Sequence, residues 1–93
     1  MDPGPLLDRV LDDEGIASGL DEREAMALVR AVSDRVRALA AGTNDASRAA
    51  KQVNDLCRQA RQIAEAVAAS GTTGPARADL MQRKLDELDR ERD

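Results

Sequence analysis

The chain contains no phenylalanine, tyrosine, tryptophan or histidine. A core built without aromatic rings lacks the largest apolar contributors and must recover its burial in another way. Of the 93 residues, 39 are apolar, and 17 of these are alanine, against 10 leucines, 6 valines, 3 methionines, 2 isoleucines and 1 cysteine. Alanine buries little surface, and a chain this short removes only about 60–70 % of its unfolded surface from water. Two compensations are available: helices that approach closely across alanines, and a second apolar face buried in another chain. Some of each is expected.

Val and Ile do not alternate with polar residues and Thr falls in turns, so no strand is expected. Four segments read as helices. The first, about 5–14, has Pro5 in its opening turn and an apolar face of Leu6, Leu7, Val10 and Leu11. Gly15 is placed to end it as a left-handed cap, with Ile16 folding back on Leu11. Asp12, Asp13 and Glu14 stand at the negative end of the helix dipole, which suits a frayed, solvated end.

The second helix, about 21–41, opens on Asp21 with Glu24 three residues later, the spacing of a capping box. Ala25, Leu28, Val29, Val32, Val36 and Leu39 then recur at helical period until Gly42. The turn "GTND" leads into a third helix, about 44–69, with Thr43 or Asn44 as its cap. A connection this short leaves the two helices antiparallel.

The third helix carries the most regular pattern in the chain. Ala46, Val53, Ala60 and Val67 hold one heptad position, and Ala49, Leu56 and Ile63 hold a second. Ala50, Cys57 and Ala64 widen the stripe. Small residues alternating with larger ones suit closely spaced, interlocking helices. Val53, Leu56, Cys57, Ala60, Ile63 and Val67 are therefore the expected interaction seam, filled by the second helix alone or shared with a second chain. The second helix leaves a strict heptad at Arg35, which stands where an apolar residue would belong, and this favours a hairpin over a long coiled coil.

Residues 70–75, "SGTTGP", read as a flexible linker. A charged amphipathic helix follows, about 75–92, with Met81, Leu85 and Leu88 as a narrow docking stripe. Asp79 with Arg83, and Asp86 with Arg90, have favourable i,i+4 spacing. The expected architecture is all-α: a helical hairpin with its N-terminal helix over 1–69, the linker, and the C-terminal helix over 76–93. This small bundle is completed within the chain or by dimerisation.

Several classes of function are disfavoured. A lone cysteine with no histidine lacks the base that thiol catalysis needs, so Cys57 reads as a small packed hydrophobe, with Arg58 and Arg61 near enough to lower its pKa slightly. One cysteine forms no internal disulfide, in keeping with a reducing compartment. The acids of "DDEG" at 12–15 are adjacent rather than alternating, unlike a calcium loop, and no glycine-rich phosphate loop occurs. No cofactor, metal or small-molecule substrate is expected, and no enzymatic activity.

The net charge is −4, with the first 20 residues contributing five acids and one base. The acidic start and the absence of a long apolar run argue against a signal sequence or a membrane span, so a cytoplasmic location is expected. Nucleic acid is disfavoured for an acidic chain without stacking residues. The polar side of the third helix does carry a possible basic contact face, Arg48, Lys51, Arg58 and Arg61, interrupted by Asp55. The favoured function is a non-catalytic protein–protein interaction or oligomerisation module, acting as an adaptor, chaperone-like protein or complex subunit. Its partner would be a second copy or a helical protein. The alternative is a regulator that contacts nucleic acid or an acidic protein surface through the basic face.

Overall fold

A computed structural model describes residues 2–13 and 15–90, and within them the chain is all-helical. Four helices follow in order: α1 (Gly4–Asp12), α2 (Glu22–Gly42), α3 (Ala46–Ala69) and α4 (Gly74–Arg90). The expected ends of the first helix at Glu14 and of the fourth at Arg92 fall on residues outside those described. No helix among the described residues is long and apolar enough to cross a membrane.

The α2–α3 hairpin is the centre of the molecule. Leu28, Val32, Val36 and Ala40 recur every fourth residue of α2 and are fully buried. They meet the α3 stripe of Ala49, Val53, Leu56, Cys57, Ala60, Ile63, Ala64 and Val67. Alanines at 40, 49, 60 and 64 are at most 1 % exposed and belong to the same core. Ala46, at the first turn of the heptad pattern, is exposed, and Ala50 is half-buried.

α1 and α4 lie on opposite sides of this hairpin. Both touch α2 and α3, and among the described residues they do not touch each other. Arg9 of α1 reaches Asn54, and Asp13 just beyond it reaches Arg61. Gln59 and Ile63, on the other flank of α3, border Lys84, Glu87 and Leu88 of α4. The bundle measures 42 × 26 × 17 Å, its long axis matching the roughly 36 Å of a 24-residue helix.

Helix ends show where local chemistry wins. The capping box at α2 forms as the spacing predicts: Glu24 N–H donates to Asp21 at 2.8 Å, and Asp21 N–H donates to Glu24 at 3.2 Å. α3 is capped not by Thr43 or Asn44 but by Asp45, whose extended backbone lets its carboxylate accept from Arg48 N–H at 3.1 Å. Thr43 acts one step earlier, its hydroxyl accepting from Asp45 N–H.

The end of α1 also differs from expectation. Asp13, with φ −82 and ψ 94, leaves the helix, and its carboxylate accepts from Gly15 N–H at 3.1 Å. Ile16 is buried in the common core while Leu11 is 69 % exposed, so the expected contact between them does not form. The reason is angular. Leu6 and Val10 set the buried stripe of a nine-residue helix, and Leu11 lies about 140° round from Leu6.

Between α1 and α2 the chain passes very close to the end of α3. Gly19 has φ +84, and a Cβ built on it would stand 2.9 Å from the Ala68 methyl. The position therefore needs a residue without Cβ for two separate reasons. Between α3 and α4, Ser70 Oγ donates to Val67 carbonyl at 2.7 Å and Thr72 N–H donates back to the same hydroxyl at 3.3 Å.

One carboxylate joins the start of α2 to α4. Arg77 donates from Nε to Glu24 Oε2 at 2.7 Å and from Nη2 to Oε1 at 2.9 Å, the fork geometry of a bidentate pair. Within α4 itself neither expected i,i+4 ion pair forms among the described residues. Lys84–Glu87 at 3.7 Å and a hydrogen bond from Gln82 to Asp86 at 3.0 Å occur instead.

Two outcomes follow from this geometry. Gly19→Ala should lower stability by more than about 1 kcal/mol in urea unfolding, because the new methyl meets both a left-handed backbone and Ala68. Gly42→Ala, at a helical position with open space around it, should be neutral or stabilise by up to about 1 kcal/mol. The Arg77 hydrogen bonds, outweighing desolvation, hold the Glu24 carboxyl below its ordinary value of 4.5, with Asp21 N–H helping. A lowered folded value contributes stability that is present above about pH 4.5 and lost as the pH falls through the folded value. Unfolding measured from pH 7 to pH 3 should therefore show wild type losing stability more steeply than Glu24→Gln below pH 4.5; parallel curves would exclude this role for the clamp.

Candidate functional site

All six residues of the expected seam are buried within this one chain. Val53, Ala60 and Val67 are fully enclosed, and Leu56, Cys57 and Ile63 retain 5–8 % of their surface. Their neighbours in the common core come from all four helices, including Leu6, Val10, Val32, Met81 and Leu88. Of the α4 stripe, Met81 and Leu88 are buried and Leu85 is half-buried against the same core. Seam and stripe thus face each other across the bundle.

Cys57 belongs to that core, and its thiol is pushed above its ordinary value. Burial is the main cause and the Asp13 carboxylate adds to it, while Arg61 and Arg9 oppose both. The slight lowering expected from neighbouring arginines is outweighed because a thiolate there would have to leave water.

The four cations of α3 are not gathered on one surface. Arg61 donates from Nη2 to Asp13 at 2.9 Å, across 48 positions of sequence, and so ties the end of α1 to α3. Gly15 lies beneath it, with the Arg61 Cδ 3.3 Å from where a Cβ would stand. Arg58 is taken up by Asp55 one turn back, at 2.8 Å. Lys51 is exposed and Arg48 borders a groove, neither with an ion pair among the described residues. Thirteen residues separate Arg48 from Arg61, which places them about 140° apart around the helix.

The groove beside Arg48 is the main concave feature that the sequence did not reveal. It holds about 560 Å³ between the last two turns of α2 and the first half of α3. Its α2 wall and turn are Arg35, Ala38, Leu39, Gly42 and Thr43; its α3 wall is Arg48, Gln52, Asp55, Leu56 and Gln59. Among the described residues none from α4 lines it. The described part of α4, 17 residues and about 25 Å long, begins at the far end of the hairpin and borders α3 at Gln59 and Ile63. Among the described residues the track it follows between α2 and α3 continues as this opening.

Arg35 lines the α2 side. Its Nε is buried and has no hydrogen-bond partner among the described residues. The signal was present in the sequence as a cation at an apolar register position of α2, and periodicity alone gave it no role. A second, shallower depression of about 480 Å³ lies on the opposite flank of α2, about 180° from Arg35. Ala25, Met26, Val29 and Ser33 line it with charged residues around them, and Met26 is 59 % exposed. Among the described residues no three acidic or cysteine side chains gather to hold a metal ion.

No protein-family model, curated protein or solved structure matches this chain.

The thiol environment has a direct consequence. Cys57 in the folded chain should react with a disulfide reagent at neutral pH at least about tenfold more slowly than in the urea-unfolded chain. Equal rates in the two states would show that the thiol is not enclosed.

Proposed function

We propose that this chain is a non-catalytic helical interaction module, whose partner is a helical protein or a second copy of itself. The observation that carries the reading is the half-occupied track between α2 and α3. A helix hairpin buries its apolar surface by accepting further helices on its two sides. Here α1 serves one side, and the described residues of α4 serve part of the other, beside an opening of about 560 Å³. The exposed Met26 on the outer flank of α2 adds a second apolar contact. Because the seam and the α4 stripe are spent on the chain's own core, these outer surfaces would supply the affinity, with the flanking charges setting register.

The alternative reading, contact with nucleic acid or an acidic surface through the basic face of α3, is favoured by Arg48 and Lys51, which have no ion pair among the described residues. Nucleic acid is the weaker half of that alternative, since Arg58 and Arg61 are already paired to Asp55 and Asp13.

Light scattering coupled to gel filtration over a concentration series tests self-association. An apolar contact should give a dimer that survives about 0.5 M salt, whereas a contact made by the basic face should weaken steeply over the same range. A strict monomer of full helicity at micromolar and higher concentrations removes the second copy as partner and leaves a different helical protein.

A further inference from the structure

We propose that the open half of the α2–α3 groove is the docking site for an acidic amphipathic helix of a partner protein, one of whose carboxylates pairs with Arg35 and Arg48. The proposal rests on the interaction reading above and names the chemistry of its partner.

The groove is lined by two cations against one carboxylate. Arg35 lines the groove and has no ion pair among the described residues, and its enclosed Nε has no acceptor there. Arg48 has no ion pair among the described residues and borders the same space. The one carboxylate in the wall, Asp55, already accepts from Arg58. Thr43 uses its hydroxyl oxygen to accept from Asp45 N–H. Gln52 and Gln59 add amide donors. Two guanidinium groups in a partly enclosed site select a planar anion, and a carboxylate fits their fork geometry.

The rest of the lining selects a helix. Ala38 and Leu39 give a small apolar ledge, and Gly42 has nothing within 4 Å of where its Cβ would stand, so a backbone can come close there. α4 shows what this track accepts: an amphipathic helix that buries Met81 and Leu88 and projects charges outward. The occupant we infer would lie along the same track, with a short apolar stripe on Ala38 and Leu39 and a Glu or Asp over the two arginines. A polyanion such as nucleic acid would gain from the cations but not from the apolar ledge.

The test uses the full-length chain and watches the arginine Nε–Hε resonances by NMR. The probe is an N-acetylated helix-forming peptide with a leucine stripe and glutamate on its polar face, beside the same peptide with glutamine for glutamate. The expected result is a saturable shift of the Arg35 and Arg48 signals, with Arg23 and Arg30 unmoved. The glutamine peptide should bind at least about tenfold more weakly. Arg48→Gln, at an exposed position that leaves the core untouched, should weaken the glutamate peptide by a similar factor while the circular dichroism stays unchanged.

Four results would overturn the proposal: no saturable shift at about 1 mM peptide, equal shifts of all the arginines, equal binding of the two peptides, or a shift of Arg35 by inorganic phosphate as large as that by the peptide. A fifth would do so too: movement of the Arg35 signal in Glu91→Gln/Asp93→Asn without any peptide, since the acceptor would then come from the chain itself. If these tests fail while light scattering detects self-association, the acidic-helix proposal falls and the interaction reading stands.

Discussion

Burial of the facing stripes of α2 and α3 is the constraint on which the remaining structure depends. With no aromatic ring to fill space, these stripes combine leucine and valine with alanines at 40, 49, 60 and 64 that are at most 1 % exposed. The hairpin leaves two flanks to be covered. There Val10 and Ile16 seal one side, and Met81 and Leu88 seal the other. The N-terminal segment and α4 are therefore the outer walls of the core as well as additions to it.

Polar contacts then fix what apolar packing leaves free. Hydrophobic burial is indifferent to small sliding along a helix, whereas a bidentate pair is not. Arg77 on Glu24 sets the position of α4 against the start of α2, and Arg61 on Asp13 sets α1 against α3. Both pairs join residues about 50 positions apart in sequence, 53 and 48 respectively. Glu24 has a second duty as the third residue of the α2 capping box. Order at the start of α2 and docking of α4 share one carboxylate, so each supports the other.

Much of the fold was legible because it follows from period and from turn chemistry. Four helices, the Asp21–Glu24 cap, the buried stripe of α3 and the apolar stripe of α4 all come from spacings within single helices. What was missed depends on distances between helices. Leu11 looks apolar-faced until the neighbours of α1 fix which of its sides is buried. Arg48 and Arg61 read as one strip on a flat projection, yet different helices border them. The role of Asp45 as the α3 cap was overlooked in favour of its neighbours because all of Thr43, Asn44 and Asp45 are good caps, and only the backbone selects among them. The groove at Arg35 lies between residues of two helices, Arg35 to Gly42 of α2 and Arg48 to Gln59 of α3, a relation that no local window contains.

The contact between Gly19 and Ala68 binds two positions that are 49 residues apart. A methyl on the glycine would crowd that of Ala68, which is itself exposed. Relief at one position does not free the other, because the φ of +84 at Gly19 persists whatever residue stands at 68. For a lineage descended from this chain the constraint is therefore one-sided: position 19 is bound twice over, by its backbone and by its neighbour, and position 68 is not.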